Sequence, residues 1–202
     1  MALVGNILQT VGYAFLPLLL LPFLVLAVPQ LCPLGRHVVD IVDEFTGFIG
    51  SLIRWLFPAL VLSVVFAVFA LSIFGWASPK LDESAIYLHA FALMLGMAPT
   101  LLADQHVRVD VVYGKLGERS RALVNIIGFY VLLVPLMLAV VWNAQSTTAF
   151  SWAIFEGSPD ADGIRGQFLL KTLIPVFAIT MLAQGVAVAT RSALELNRIH
   201  DA

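Results

Sequence analysis

Five stretches of this chain are apolar for about the length that a bilayer crossing demands, and no other feature limits its folding so strongly. They run from Ile7 to Val28, Trp55 to about Phe74, Ser84 to Leu102, Leu123 to Trp142 and Phe168 to Thr190. Hydrocarbon offers no partner to a backbone N–H or C=O, so such runs must form helices that satisfy themselves. Composition agrees, with 12% charged residues where a soluble domain carries about 25%. The predicted fold class is all-α integral membrane. Pro58, Pro99, Pro135 and Pro175 fall in or near these runs, where neighbouring helices can satisfy the groups they free.

The net charge of −2 and the lack of a basic stripe exclude nucleic acid as a partner. The single cysteine, Cys32, cannot form an intrachain disulfide or a multi-cysteine metal site. Leu31 before it is larger than a lipoprotein processing site wants, so Cys32 reads as inert. The first apolar run is read as a retained helix. A secretory signal peptide would need a basic start and a shorter apolar stretch, and no Lys or Arg precedes Arg36.

Residues 36 to 55 are neither loop nor span. Val38, Ile41, Val42, Phe45, Phe48, Ile49 and Leu52 recur at helical spacing, while Asp40, Asp43, Glu44, Gly47, Ser51 and Arg54 take the other side. That pattern predicts an amphipathic helix in the membrane interface that bends into the next span near Arg54. A plain extension of that span into water is compatible with it. Orientation follows from the cations, which cytoplasmic loops carry in excess. Arg36, Arg54, Arg108, Lys115, Arg119, Arg121, Arg191 and Arg198 fall on one side, against Lys80, Arg165 and Lys171 on the other. The turn at 103–122 and the C-terminus are therefore expected in the cytoplasm and residues 143–167 outside. With the first helix retained, the N-terminus is outside as well.

Ionisable groups within spans are candidates for function because burying them is costly. His89, in the third run, is the clearest. A structural hydrogen bond to a neighbouring helix is the plainer use for it. His37, His106 and His200 fall outside the runs, which argues against a histidine–haem–histidine site. The midplane stretches carry no carboxylate, and Asn143, Gln145 and Gln184 stand singly or near span ends. There is no convincing internal repeat, phosphate loop, metal-spaced set or nucleophile–base pair. The chain therefore reads as a partner of a machine: not an enzyme, with no cofactor and no catalytic or metal residue.

Two connections remain. The loop from 143 to 171 is locally acidic through Glu156, Asp160 and Asp162, with turn signals at Ser158-Pro159 and Asp162-Gly163. It is either a solvated loop or a docking surface, and Phe150, Trp152, Ile154 and Phe155 extend the preceding span or lie at the interface. In the cytoplasmic turn, His106, Arg108 and Asp110 would share one side of an extended segment, away from Val107 and Val109. That polar side either fixes the turn against a larger subunit or lipid phosphates, or only sets topology.

Three segments together resemble the small membrane subunit of TRAP (tripartite ATP-independent periplasmic) transporters, the DctQ-like family. They are DESAIYLHAFALMLG (82–96), with Glu83, Tyr87 and His89; HVRVDVVYGKLGERSRALVNIIGF (106–129); and SWAIFEGSPDADGIRGQFLLKTLIP (151–175), with Ser151, Trp152, Glu156, Gly157, Ser158, Lys171 and Pro175. The similarity covers about residues 36–191 and looks closest to the branch serving 2-oxo acids, mannitol-like and chloroaromatic compounds. Two features depart from the family. Gly163 is followed by Ile164, Arg165 and Gly166, with Phe168 where a Trp is usual, and an uncharged run precedes Arg36.

The resemblance implies a four-helix DctQ-like core preceded by an interfacial amphipathic helix and an extra N-terminal transmembrane helix. Residues 1–35 would form the extra helix and 36–202 the DctQ-like domain, with an amphipathic helix at 36–54 and spans at 55–74, 84–102, 123–142 and 168–190. It implies a non-catalytic brace for a large, many-span DctM-like transport subunit, fed by a periplasmic DctP-like binding protein, in an ion-coupled system, usually sodium, importing an organic anion. Membrane lipids are the remaining partners. Glu83, Tyr87, His89, His106, Arg108, Asp110, Glu156, Ser158 and Lys171 are the expected partner-contact residues. The alternative is a membrane anchor of a respiratory or other multi-subunit complex.

Overall fold

The computed structural model describes residues 17–104 and 116–200, which are helical with no strand. Much of the first apolar run, and His106, Arg108, Asp110 and Lys115, lie outside the described residues. In chain order the helices are α1 (Pro17–Ala27), α2 (Cys32–Ile53), α3 (Leu56–Phe74), α4 (Pro79–Leu102), α5 (Glu118–Ile154) and α6 (Gln167–His200). A single 3-10 turn, Pro29–Leu31, joins α1 to α2. Arg54 and Trp55 keep helical backbone angles, so α2 passes almost directly into α3.

The chain is organised around α6. In its most apolar stretch 56% of residues are buried, against 6% to 17% for the other long helices, so α6 alone has its sides covered by its own chain. It packs against α5, α4 and α2, whereas α3 leans on α4 and buries only Ala70. Close packing without a hydrophobic driving force favours small side chains in a membrane. Accordingly Ala178, Ala187, Ala189 and Ala193 of α6 are fully buried. Gly185 is the tightest point: a Cβ there would stand 2.5 Å from Leu133 Cδ2 and 2.6 Å from Phe129 Cε2.

Local irregularities follow from particular residues. Within α5, Phe129–Leu133 is a wider π turn. Pro135 has no N–H for the carbonyl four residues back, at Val131, and just before it the Val134 N–H closes the wider turn on the Phe129 carbonyl. Pro175 likewise leaves the Lys171 carbonyl free inside α6, and Thr148 Oγ1 of α5 donates to it at 3.2 Å. At the end of α3, Gly75 takes φ +63°, which a side chain would resist, and its N–H closes on the Leu71 carbonyl at 3.0 Å.

The amphipathic reading of α2 is refined from two faces to three. Gly35, Val39, Thr46 and Ile53 are buried, and the helix packs on α4 and α6. Asp40 and Glu44 are exposed on a polar side. Ile41, Phe45, Phe48 and Leu52 are more than half exposed, so the apolar stripe points away from the bundle. Two glycines allow the close contact. A Cβ on Gly35 would meet Val25 Cγ2 at 2.8 Å, and one on Gly50 would meet Pro99 Cβ at 3.0 Å.

The described part of the first apolar run, α1, fits against α5 and α6. Val25 is fully buried and packs with Leu21, Ile126 and Ala193. Phe23 stacks on Tyr130 with centroids 4.5 Å apart, and the Tyr130 hydroxyl donates to the Leu19 carbonyl. Asn197 Nδ2 donates to the Val25 carbonyl at 2.8 Å, beyond the reach of the α1 helix's own bonds.

Candidate functional site

The loop between α5 and α6 folds back onto the start of α4, and one carboxylate fixes it there. Glu83, in the first turns of α4, accepts the Ser158 hydroxyl at Oε1 and the Ile164 N–H at Oε2, the latter at 2.5 Å. Charge-assisted bonds of this kind are stronger than neutral ones. The Ser158 oxygen also accepts the Asp160 N–H at 3.0 Å, and Gly163 N–H closes a turn on the Asp160 carbonyl at 3.0 Å. Gly163 has no room for a side chain: its Cβ would lie 2.3 Å from Ser158 Cβ and 2.5 Å from Glu83 Oε1. The Tyr87 hydroxyl, one helical turn along α4, is buried against Gly166.

A second clamp lies beside the first. Lys171 donates to Glu156 Oε2 at 2.5 Å, and both side chains remain partly exposed. The Lys171 hydrogen bond, aided by its charge, holds the Glu156 carboxyl below the usual carboxylate range. With its amide turned to satisfy both ends, Gln167 donates to Glu156 Oε1 at 3.1 Å and to the Gly157 carbonyl at 3.3 Å. Three rings close the same end. Phe168 packs edge-on against Trp152 (4.7 Å between centroids) and Phe155 (5.9 Å), and Trp152 Nε1 donates to Thr172 Oγ1 at 2.8 Å. Phe155 ends α5 at φ +46°, a left-handed conformation costly for a side chain, and these ring contacts hold it there.

Of the nine residues expected to contact partners, five therefore gather at one end of the bundle. Glu83 and Ser158 bond to each other, Glu156 and Lys171 pair, and Tyr87 supports the loop from below. His89 stands apart: it is exposed on α4 and has no hydrogen bond to another described residue. His106, Arg108 and Asp110 fall outside the described residues.

The sequence reading missed a third clamp, at the other half of the bundle. Asp43 of α2 accepts Gln184 Nε2 at 3.0 Å through one oxygen and pairs with Arg191 through the other. Gln184 is fully buried, so its amide depends on that carboxylate. The available signal was spacing. Gln184 and Arg191 are seven residues apart on α6 and so share a face. Among the described residues no group of three or more His, Cys, Asp or Glu could hold a metal. The bonds these residues make tie the outer loop to α4 and α6, and α2 to α6.

A family model described as Tripartite ATP-independent periplasmic transporters, DctQ component, matches residues 60–195. No curated protein and no solved structure matches the chain significantly.

Proposed function

The chain belongs to the DctQ family of TRAP transporter components, and from that membership we propose that it braces a large, many-span DctM-like transport subunit. It is a small multi-pass membrane component of such a system. The observation that favours a brace over a carrier is where its acidic groups are spent. Glu83 and Glu156 close contacts between elements of this chain at helix ends, and Asp43, midway along α2, closes one between α2 and α6. A carrier needs polar groups free to bind and release cargo near the midplane; these carboxylates are committed to rigidity.

The rest of the reading extends from the family. The system would import an organic anion delivered by a periplasmic DctP-like binding protein, coupled to an ion gradient, with sodium the expected ion. The excess of Lys and Arg supports an inner-membrane orientation with the 103–122 turn and the C-terminus in the cytoplasm. The exposed loop bearing Asp160 and Asp162 would then face the binding protein. Tagged chain purified in mild detergent and weighed as an intact complex tests the central claim. A stable one-to-one assembly with a many-span protein is expected. Recovery of the chain alone, or with a haem protein, would overturn it.

A further inference from the structure

We infer that the junction of α2 and α3 forms, with α4, a binding site for one anionic phospholipid, its phosphate on Arg54 and an acyl chain in the adjoining groove. The groove has a volume of about 270 Å³ and lies between Ile53 and Phe57 on one side and Leu93 and Met97 on the other, with Thr100 at its edge. Water would gain little from walls so apolar, whereas a hydrocarbon tail matches them. Glycine keeps the channel open: a Cβ at Gly96 would have only Ile53 Cγ2 nearby, at 3.8 Å.

The charge at the mouth selects the headgroup. Arg54 spends Nε on the Ser51 carbonyl at 3.2 Å, and its terminal nitrogens have no acceptor among the described residues. A guanidinium at the rim of an apolar slot is matched by a phosphate diester, which it can grip with two parallel bonds. Depth agrees as well. Trp55, the next residue, is 71% exposed, and indole rings favour the headgroup level. The exposed stripe of α2 (Ile41, Phe45, Phe48, Leu52) leads up to the same point, as expected of a helix lying at that level. A partner helix could also cover an apolar slot, but it would leave the cation unmatched unless it brought its own carboxylate. In the proposed orientation the lipid belongs to the cytoplasmic leaflet. The inference requires only that the chain spans a membrane, so it holds or fails separately from the large-subunit assignment.

The full chain, purified with whatever accompanies it in mild detergent, is titrated with phosphatidylglycerol or phosphatidylcholine and followed by native mass spectrometry. One phosphatidylglycerol should bind preferentially. Arg54→Gln should weaken that event about fivefold, the effect of one basic residue on an anionic headgroup, and Arg54→Lys should restore much of it. Gly96→Leu, which fills the groove and leaves Arg54 intact, should abolish it. A phosphatidylglycerol carrying a photoreactive acyl chain should label the Leu93–Met97 segment. Equal binding of both lipids, or unchanged binding in Arg54→Gln, would overturn the inference. So would cross-linking of this segment to a protein partner with no lipid label.

Discussion

Glu83→Ala isolates the work of a single carboxylate. In the native chain that group receives the Ser158 hydroxyl and the Ile164 N–H, and so holds the outer loop against α4. Alanine leaves both donors without their acceptor. The hydroxyl can rotate toward water, so its loss is small. The Ile164 N–H has no such freedom, and a stranded, part-buried donor costs about 1–3 kcal/mol, more when the lost acceptor was charged. Taking 2–3 kcal/mol for opening the loop gives an increase in its open population of roughly 30- to 150-fold. Amide exchange at Ile164 should accelerate by that factor, read by hydrogen–deuterium exchange on peptides covering 156–166. The buried stretch of α6 around Ala187 should exchange as before, because nothing there depends on Glu83. Glu83→Gln should fall between, since an amide keeps one acceptor and presents an N–H₂ to the other donor. Unchanged exchange at Ile164 in Glu83→Ala would show that the loop is held by something else, the Glu156–Lys171 pair and the aromatic cluster being the remaining supports.

Two further outcomes follow from the packing and the second clamp. Gly185→Ala places a methyl carbon 2.5 Å from Leu133 Cδ2 and should cost about 1–3 kcal/mol through overpacking, seen as a lowered Tm in detergent; an unchanged Tm would mean that α5 yields freely at its π turn. Because Glu156 has a folded-state pKa below its unfolded one, its contribution is present above the unfolded pKa and lost as pH falls through the folded one. The Tm advantage of wild type over Lys171→Met should therefore shrink across the acid range below the ordinary carboxylate pKa, and a constant gap at all pH values would refute the pairing.

The long apolar helices were legible because apolar length is a one-dimensional signal. Ser84 to Leu102 sits within α4 and Leu123 to Trp142 within α5. The ends were less so: α5 continues through Gln145, Ser146 and Thr147 to Ile154, since polar residues can stay helical once a helix leaves hydrocarbon. The pairing of Ser158 with Glu83 joins residues 75 apart, and that of Gln184 with Asp43 joins residues 141 apart. No local pattern records which helix faces which, so Asp43 read as one more polar residue on an amphipathic face. The outward turn of Phe45 and Phe48 was hidden for the same reason. A stripe's existence is written in spacing, but what it packs against is set by other segments.

These placements bear on how a small membrane component can be rigid with so little of its own surface buried. A small membrane bundle gains nothing from hiding apolar side chains, since lipid is as apolar as leucine. Its order has to come from close backbone contact and from bonds that hydrocarbon does not replace. The chain supplies the first at Gly35, Gly50 and Gly185. It supplies the second with Glu83 and the Glu156–Lys171 pair at one end, and with Asp43, which holds α6 at Gln184 and Arg191. With α6 fixed at its start and along its length, the outward faces of α2, α3 and α4 are left free of internal duty. Those faces are then available to neighbours in the membrane, and their shape is set before any neighbour arrives. Pre-formed surfaces reduce the ordering cost of association, which is the physical advantage of committing charged groups to internal clamps.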